Sequence, residues 1–112
     1  MTRIDLLQGT LDLLILRTLT AGSRHGYQIA KAIRTASEEV LQVEEGALYP
    51  ALHRLEDRGW VMSSWGLSEK KRRAKFYELT TAGQEALETQ SRTWDDYVSA
   101  VARVMDGEEA PS

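Results

Sequence analysis

The side chains that most often perform covalent or metal chemistry are scarce here: there is no cysteine, and the only histidines are His25 and His53. They fall on different expected helices, and no acid, base and nucleophile share a recognisable spacing, so neither a catalytic constellation nor a set of metal ligands emerges. No enzyme activity, cofactor or metal site is expected. What does cluster is positive charge. Lys70, Lys71, Arg72 and Arg73 are consecutive and Lys75 follows. Their mutual repulsion calls for a counter-anion, either solvent or phosphate. Just upstream, Ala47, Tyr49, Pro50, His53, Arg54 and Asp57 share one side of an expected helix. These small apolar and hydrogen-bonding groups suit base edges, thymine methyls and phosphates. A solvated helix face accounts for that set as well, taken alone. A basic loop following directly after such a helix favours nucleic acid.

Those side chains act only if elements hold them. Leu48, Leu52 and Leu55, at i, i+4 and i+7, predict a helix over roughly Gly46 to Arg58, stopped by Gly59. Pro50 donates no backbone bond and clashes inside a helix, so the regular part is expected to begin near Ala47 or Leu48. Trp60 to Trp65 and Ala74 to Leu79, rich in aromatic and β-branched residues, read as a hairpin joined by the basic stretch Gly66 to Arg73. Upstream, Ile4, Leu7, Leu11, Leu14, Ile15 and Leu19 recur at spacings of three and four, broadened by Leu6, Leu13 and Leu16, and predict a first helix. A second helix is expected from His25 or Gly26 to about Thr35 to Ser37, with Tyr27, Ile29, Ala30 and Ile33 on its buried side. Leu41 and Val43 alternate as in a short extended link. After the hairpin, Thr80 or Thr81 caps a long fourth helix reaching about Met105, and Thr81 with Gln84 matches a capping box.

A chain of 112 residues implies one domain with a modest core that dimerisation would help. Its net charge of −3 argues, as an average, against a nucleic-acid partner. The average conceals a polarity. Residues 1–53 carry five basic and six acidic groups, residues 54–75 seven and three, and residues 76–112 two and eight. A cationic middle between acidic flanks suits a particle with one face towards a polyanion. The longest apolar run, Leu13 to Leu16, is far too short to span a membrane, and Asp5 and Asp12 break any secretory leader. A cytoplasmic chain without a membrane partner is expected.

Four stretches carry a family resemblance: Gln8 to Leu16, His25 to Ala30, Gly46 to Trp60, and Tyr77 to Gly83. Together they resemble the PadR family of bacterial transcriptional regulators over about residues 5–105. The helix Gly46-Ala47-Leu48-Tyr49-Pro50-Ala51-Leu52, with Gly26-Tyr27 upstream, is the discriminating part. The resemblance implies a mainly α fold with a small β-hairpin: a winged helix-turn-helix over residues 1–79, a dimerisation helix over 80–106 and a flexible tail over 107–112. It makes Gly46 to Gly59 the recognition helix, Lys70 to Lys75 the wing, and Tyr27 a residue close to the DNA backbone. Ala47 departs from the family pattern, which often has Thr or Ser there, so operator preference does not transfer from relatives.

On the fourth helix Leu87, Trp94 and Val101 repeat every seven residues, with Val98 and Met105 on a second row and Tyr97 beside them. Such a seam is what a helix shows to a partner helix, and these six residues form the expected homodimer interface. Trp94 keeps two readings, an anchor in that interface or a ring lining a cavity for a planar aromatic effector. The expected function is a DNA-binding regulator, a homodimeric repressor of a pseudo-palindromic operator relieved by a small ligand near the dimer axis. The alternatives are a winged-helix module that binds protein and a drug-sequestering protein.

Overall fold

The computed structural model describes residues 4–5 and 9–107. In chain order its elements are β1 (Ile4–Asp5), α1 (Thr10–Thr18), β2 (Arg24–His25), α2 (Gly26–Ala36), β3 (Leu41–Gln42), α3 (Glu45–Asp57), β4 (Val61–Leu67), β5 (Arg73–Leu79) and α4 (Thr81–Met105). A short 3₁₀ turn, Leu19–Ala21, extends α1. Ile15 and Leu16 from α1, Ile29 from α2, and Leu48, Leu52 and Leu55 from α3 are fully buried in one cluster. These are the stripes that helical periodicity selects, and their burial is the main force holding the three helices together. Val61 and Tyr77 close the cluster from the hairpin side.

The first helix starts at Thr10 rather than near Ile4. Gly9 takes φ +90°, a left-handed conformation through which a right-handed helix does not run. Ile4 and Asp5 instead pair in parallel with Leu41 and Gln42, so the extended link after α2 becomes half of a two-stranded sheet. Leu6 and Leu7 lie outside the described residues. In α2 the expected burial of Tyr27 is also corrected. Ile29 and Ile33 point inward, while Tyr27 is 66% exposed.

Helix α3 begins at Glu45, earlier than Pro50 suggested. The opening turn is tightened, with the N–H groups of Ala47 and Leu48 both donating to the carbonyl of Glu44, at 3.0 and 2.9 Å. Pro50 then forfeits only the bond to Gly46, an exposed position where water can satisfy the carbonyl. The helix ends in a Schellman motif: Gly59 N–H donates to Glu56 and Trp60 N–H to Leu55, at 2.9 and 3.0 Å.

Strands β4 and β5 pair antiparallel from Val61↔Leu79 to Leu67↔Arg73, leaving Ser68 to Arg72 as the connection. This is shorter than the expected loop because Gly66, Leu67 and Arg73 join the ladder. Strand β2 adds to the other edge of β5 through Arg24↔Tyr77 and His25↔Phe76, giving a three-stranded antiparallel sheet of order β2-β5-β4. Thr80 is the N-cap of α4. Its hydroxyl accepts from Gly83 N–H at 3.0 Å and donates to Gly59 O at 2.6 Å, and the Thr81–Gln84 box does not form. Gly83 lets α4 start hard against the hairpin, since a Cβ there would lie 2.0 Å from the carbonyl oxygen of Trp60. Ala86 and Leu87 pack on the core, and the helix then runs on beyond it.

Candidate nucleic-acid interface

On α3 the outward residues Ala47, Tyr49, Pro50, His53, Arg54 and Asp57 are all exposed, opposite Leu48, Ala51, Leu52 and Leu55. Three of them, Arg54, His53 and Asp57, have charged partners. Arg54 Nη2 lies 2.9 Å from Asp12 Oδ1 of α1, with Arg58 Nη1 3.9 Å from the other carboxylate oxygen. His53 Nε2 is 3.6 Å from Asp57 Oδ2, one turn along the same helix. The Arg54 guanidinium is thus tethered at the α1–α3 crossing, while Tyr49 and His53 sit on the open part of the face. The Tyr49 hydroxyl lies over the first residue of α2, where a Cβ on Gly26 would approach within 2.6 Å.

The basic run divides in two. At the hairpin tip, Lys71 N–H donates to Ser68 O and Ser68 N–H to Arg72 O, at 2.8 and 2.9 Å, with Lys71 in a left-handed conformation at φ +59°. This tight turn splays the side chains of Lys70, Lys71 and Arg72 into solvent, and among the described residues none of the three has an ion-pair partner. Arg73 and Lys75 share one face of the hairpin with Trp65 and Tyr77 and are engaged there, although Arg73 stays exposed. The Arg73 guanidinium stacks 4.4 Å from the Trp65 ring. Lys75 Nζ lies 3.5 Å from Glu56 Oε1 and 5.8 Å from the centre of the Tyr77 ring. Glu56 also accepts a hydrogen bond from the Ser63 hydroxyl, and this bond, followed by the Lys75 charge, holds its carboxyl below the ordinary value. Burial, then the Glu56 charge, pushes the Tyr77 phenol up.

An open groove of about 600 Å³ separates the hairpin from the adjoining ends of α2 and α3. Tyr27, Tyr49, Trp65, Glu69, Arg72 and Lys75 are among its lining residues. The structure therefore brings Tyr27 and Tyr49 together with Lys70, Arg72, Arg73 and Lys75 of the wing, while Lys71 does not line the groove. Trp65, Glu69 and His25 share the groove although sequence reasoning did not select them. For Trp65 a signal existed: in the period-two alternation of β4 it shares the face of Val61, further up the hairpin than the core reaches. For Glu69 and His25 there was none, because their proximity depends on where the hairpin lies against α2.

A helix with one open polar face, beside a hairpin whose tip carries unpaired cations, is a winged-helix arrangement. The model of the transcriptional regulator PadR-like family matches residues 15–89 of the chain. The chain belongs to this family. This PadR-like chain is similar to the structure of a transcriptional regulator from Clostridium thermocellum, at 31% identity and TM-score 0.78, covering 86% of this chain and 93% of that one. It is likewise similar to a PadR family transcription regulator from Clostridium difficile R20291, at 30% identity and TM-score 0.74, covering 87% and 99%. In sequence it is 28% identical, over 109 residues, to a Lysinibacillus sphaericus protein described as uncharacterised, spanning 97% of this chain and 100% of that protein. The PadR-like chain is accordingly a DNA-binding transcriptional regulator with a winged-helix fold, not an enzyme. Among the described residues no group of acidic and histidine side chains is placed to hold a metal ion, and no helix is long and apolar enough to cross a membrane.

The residues expected at the dimer interface sit on α4 in two settings. Leu87 packs against the PadR-like chain's own core, and Trp94 is half-buried, its ring 6.2 Å from that of Tyr97. Farther along, Tyr97, Val98, Val101, Val104 and Met105 are exposed. Val104, one heptad after Tyr97, extends the apolar face that the sequence indicated. Beside Trp94 a cleft of about 570 Å³ is lined by Thr10, Asp12, Leu13, Arg58 and Tyr97. Asp12 thus borders this cleft and also holds Arg54 of α3.

Proposed function

We propose that this PadR-like regulator is a homodimeric repressor that binds a pseudo-palindromic operator, with α3 in the major groove and the wing on flanking phosphates. The observation that carries the reading is the groove that brings Tyr49 of the open α3 face, Tyr27 of α2 and the tip cations Lys70 and Arg72 together. Tyr49, His53, Pro50 and Ala47 meet base edges and the sugar-phosphate chain, and Arg54 joins them on leaving Asp12. Dimerisation through the exposed apolar stretch of α4 sets two such faces about 34–36 Å apart, one turn of the duplex.

The effector half of the proposal is supported by the cleft beside Trp94. A planar aromatic ligand stacked on that ring borders Asp12, and through Asp12 it reaches Arg54 on the recognition helix. Footprinting on the chain's own promoter region and that of adjacent genes tests both halves. The expected result is two protected segments related by a two-fold axis, erased by a planar aromatic compound for the native chain but not for Trp94→Ala. A single asymmetric footprint contradicts the dimeric reader. Equal sensitivity of Trp94→Ala to the compound contradicts the effector site.

A further inference from the structure

The N-terminus of α2 is arranged to hold an anion, and an anion from the same chain stands at it. His25 is the N-cap, and its Nδ1 accepts a hydrogen bond from Gln28 N–H at 3.3 Å. That bond places the proton of the neutral ring on Nε2. Nε2 is buried without a hydrogen-bond partner in a residue only 8% exposed. An unsatisfied buried donor is costly, so an acceptor that reached it would be stabilised. The group nearest to it in charge is Glu69 of the wing, whose Oε1 lies 3.7 Å away and accepts a hydrogen bond from Gln28 Nε2 at 3.2 Å. The first N–H groups of α2 have no acceptor within the helix and add the positive end of its dipole.

The surroundings fit a phosphate better than a carboxylate. Lys70, Arg72 and Arg73 line the same groove, and the Tyr49 hydroxyl reaches over Gly26 into its floor. Glu69 is the single acid among these lining residues, and its side chain is 69% exposed, so its hold on the site is a weak, solvent-screened one. We propose that Glu69 is an internal stand-in for a DNA backbone phosphate. It occupies a seat made by His25 Nε2–H, the Gln28 amide and the N-terminus of α2, and DNA binding exchanges the carboxylate for the phosphate. The seat rests on the DNA-binding reading of the family. It adds to that reading a self-contact that DNA must displace, which lowers affinity for every duplex and releases the wing as the phosphate enters.

The test is a cycle of Glu69→Gln, His25→Asn and the double variant, read by anisotropy of a labelled duplex at fixed salt. Glu69→Gln keeps the side chain's size and removes its charge, and is expected to tighten binding about three- to fivefold on operator and unrelated DNA alike. His25→Asn retains an N-cap but lacks the Nε2 donor. It is expected to weaken binding and to reduce the gain from Glu69→Gln to less than twofold. An equal gain in both backgrounds overturns the proposal, because bulk charge alone would then account for it. A second measurement does not depend on DNA. Inorganic phosphate titrated into the native chain and into Glu69→Gln, followed by the imidazole NMR signals of His25, is expected to shift them at lower phosphate in the variant. Equal shifts, or none, overturn the seat. Absence of duplex binding by the native chain would instead overturn the DNA reading.

Discussion

Lys75 and Lys71 are four residues apart in one basic run, yet they do different work. Lys75 is neutralised by Glu56 at 3.5 Å, whereas Lys71 stands at the tip without an ion-pair partner among the described residues. Replacing Lys71 and Arg72 together by Ala is expected to weaken binding to all sequences. It should lower the slope of log affinity against log salt by about 0.9 for each phosphate no longer neutralised. Weakening confined to the operator would remove the wing from the phosphates. The Glu56 carboxyl, held low first by Ser63 and then by Lys75, also makes a pH prediction. A carboxylate with a depressed folded pKa stabilises fully above its unfolded value, and that stability is lost as pH falls through the folded one. Ser63→Ala is therefore expected to cost about 1 kcal/mol at neutral pH in denaturant titrations, and the gap from the native chain should close below the carboxylate range. The run of cations was plain in the sequence, but its division was not. That division depends on strand register and on which side chains face α3.

At the scale of elements, α3 and its cap were readable because their causes are local: the leucine spacing and the stop at Gly59. The N-terminal segment was misread for the opposite reason. Its leucine spacing satisfies a helical pattern, but Gly9 breaks the path and Ile4–Asp5 pairs instead with Leu41–Gln42. The joint between hairpin and α4 shows how tightly the elements are fitted. Gly83→Ala would place a Cβ against the backbone of Trp60, and is expected to cost about 1–3 kcal/mol. Gly46→Ala, in open space on α3, is expected to gain about 0.5–1 kcal/mol by its helix propensity. Thermal melts of the pair check both signs. If Gly83→Ala melts with the native chain, the close seating of α4 on the hairpin is wrong.

The molecule is 63 Å in its longest dimension and 22 Å in its shortest. An α4 of 25 residues, about 37 Å long, carries much of that length, with Val104 and Met105 each 77% exposed. A solitary amphipathic helix end gains little from its own fold, which supports the reading that a second copy covers it. Val101→Glu places a charge in the middle of this face and is expected to shift the chain to monomers in light scattering, with operator affinity falling steeply. An unchanged dimer would remove α4 from the interface. The sequence by itself determined the four helices in outline, the hairpin, the cationic middle and the kinship, because periodicity, capping and motif spacing are properties of neighbouring residues, whereas strands β1 and β2 came only with the partners they pair with. Only the tertiary structure decided which charges remain free. Arg54 and Asp12 are 42 positions apart, and Glu69 stands 41 positions from Gln28, so their pairing follows from how α1 crosses α3 and where the hairpin folds against α2.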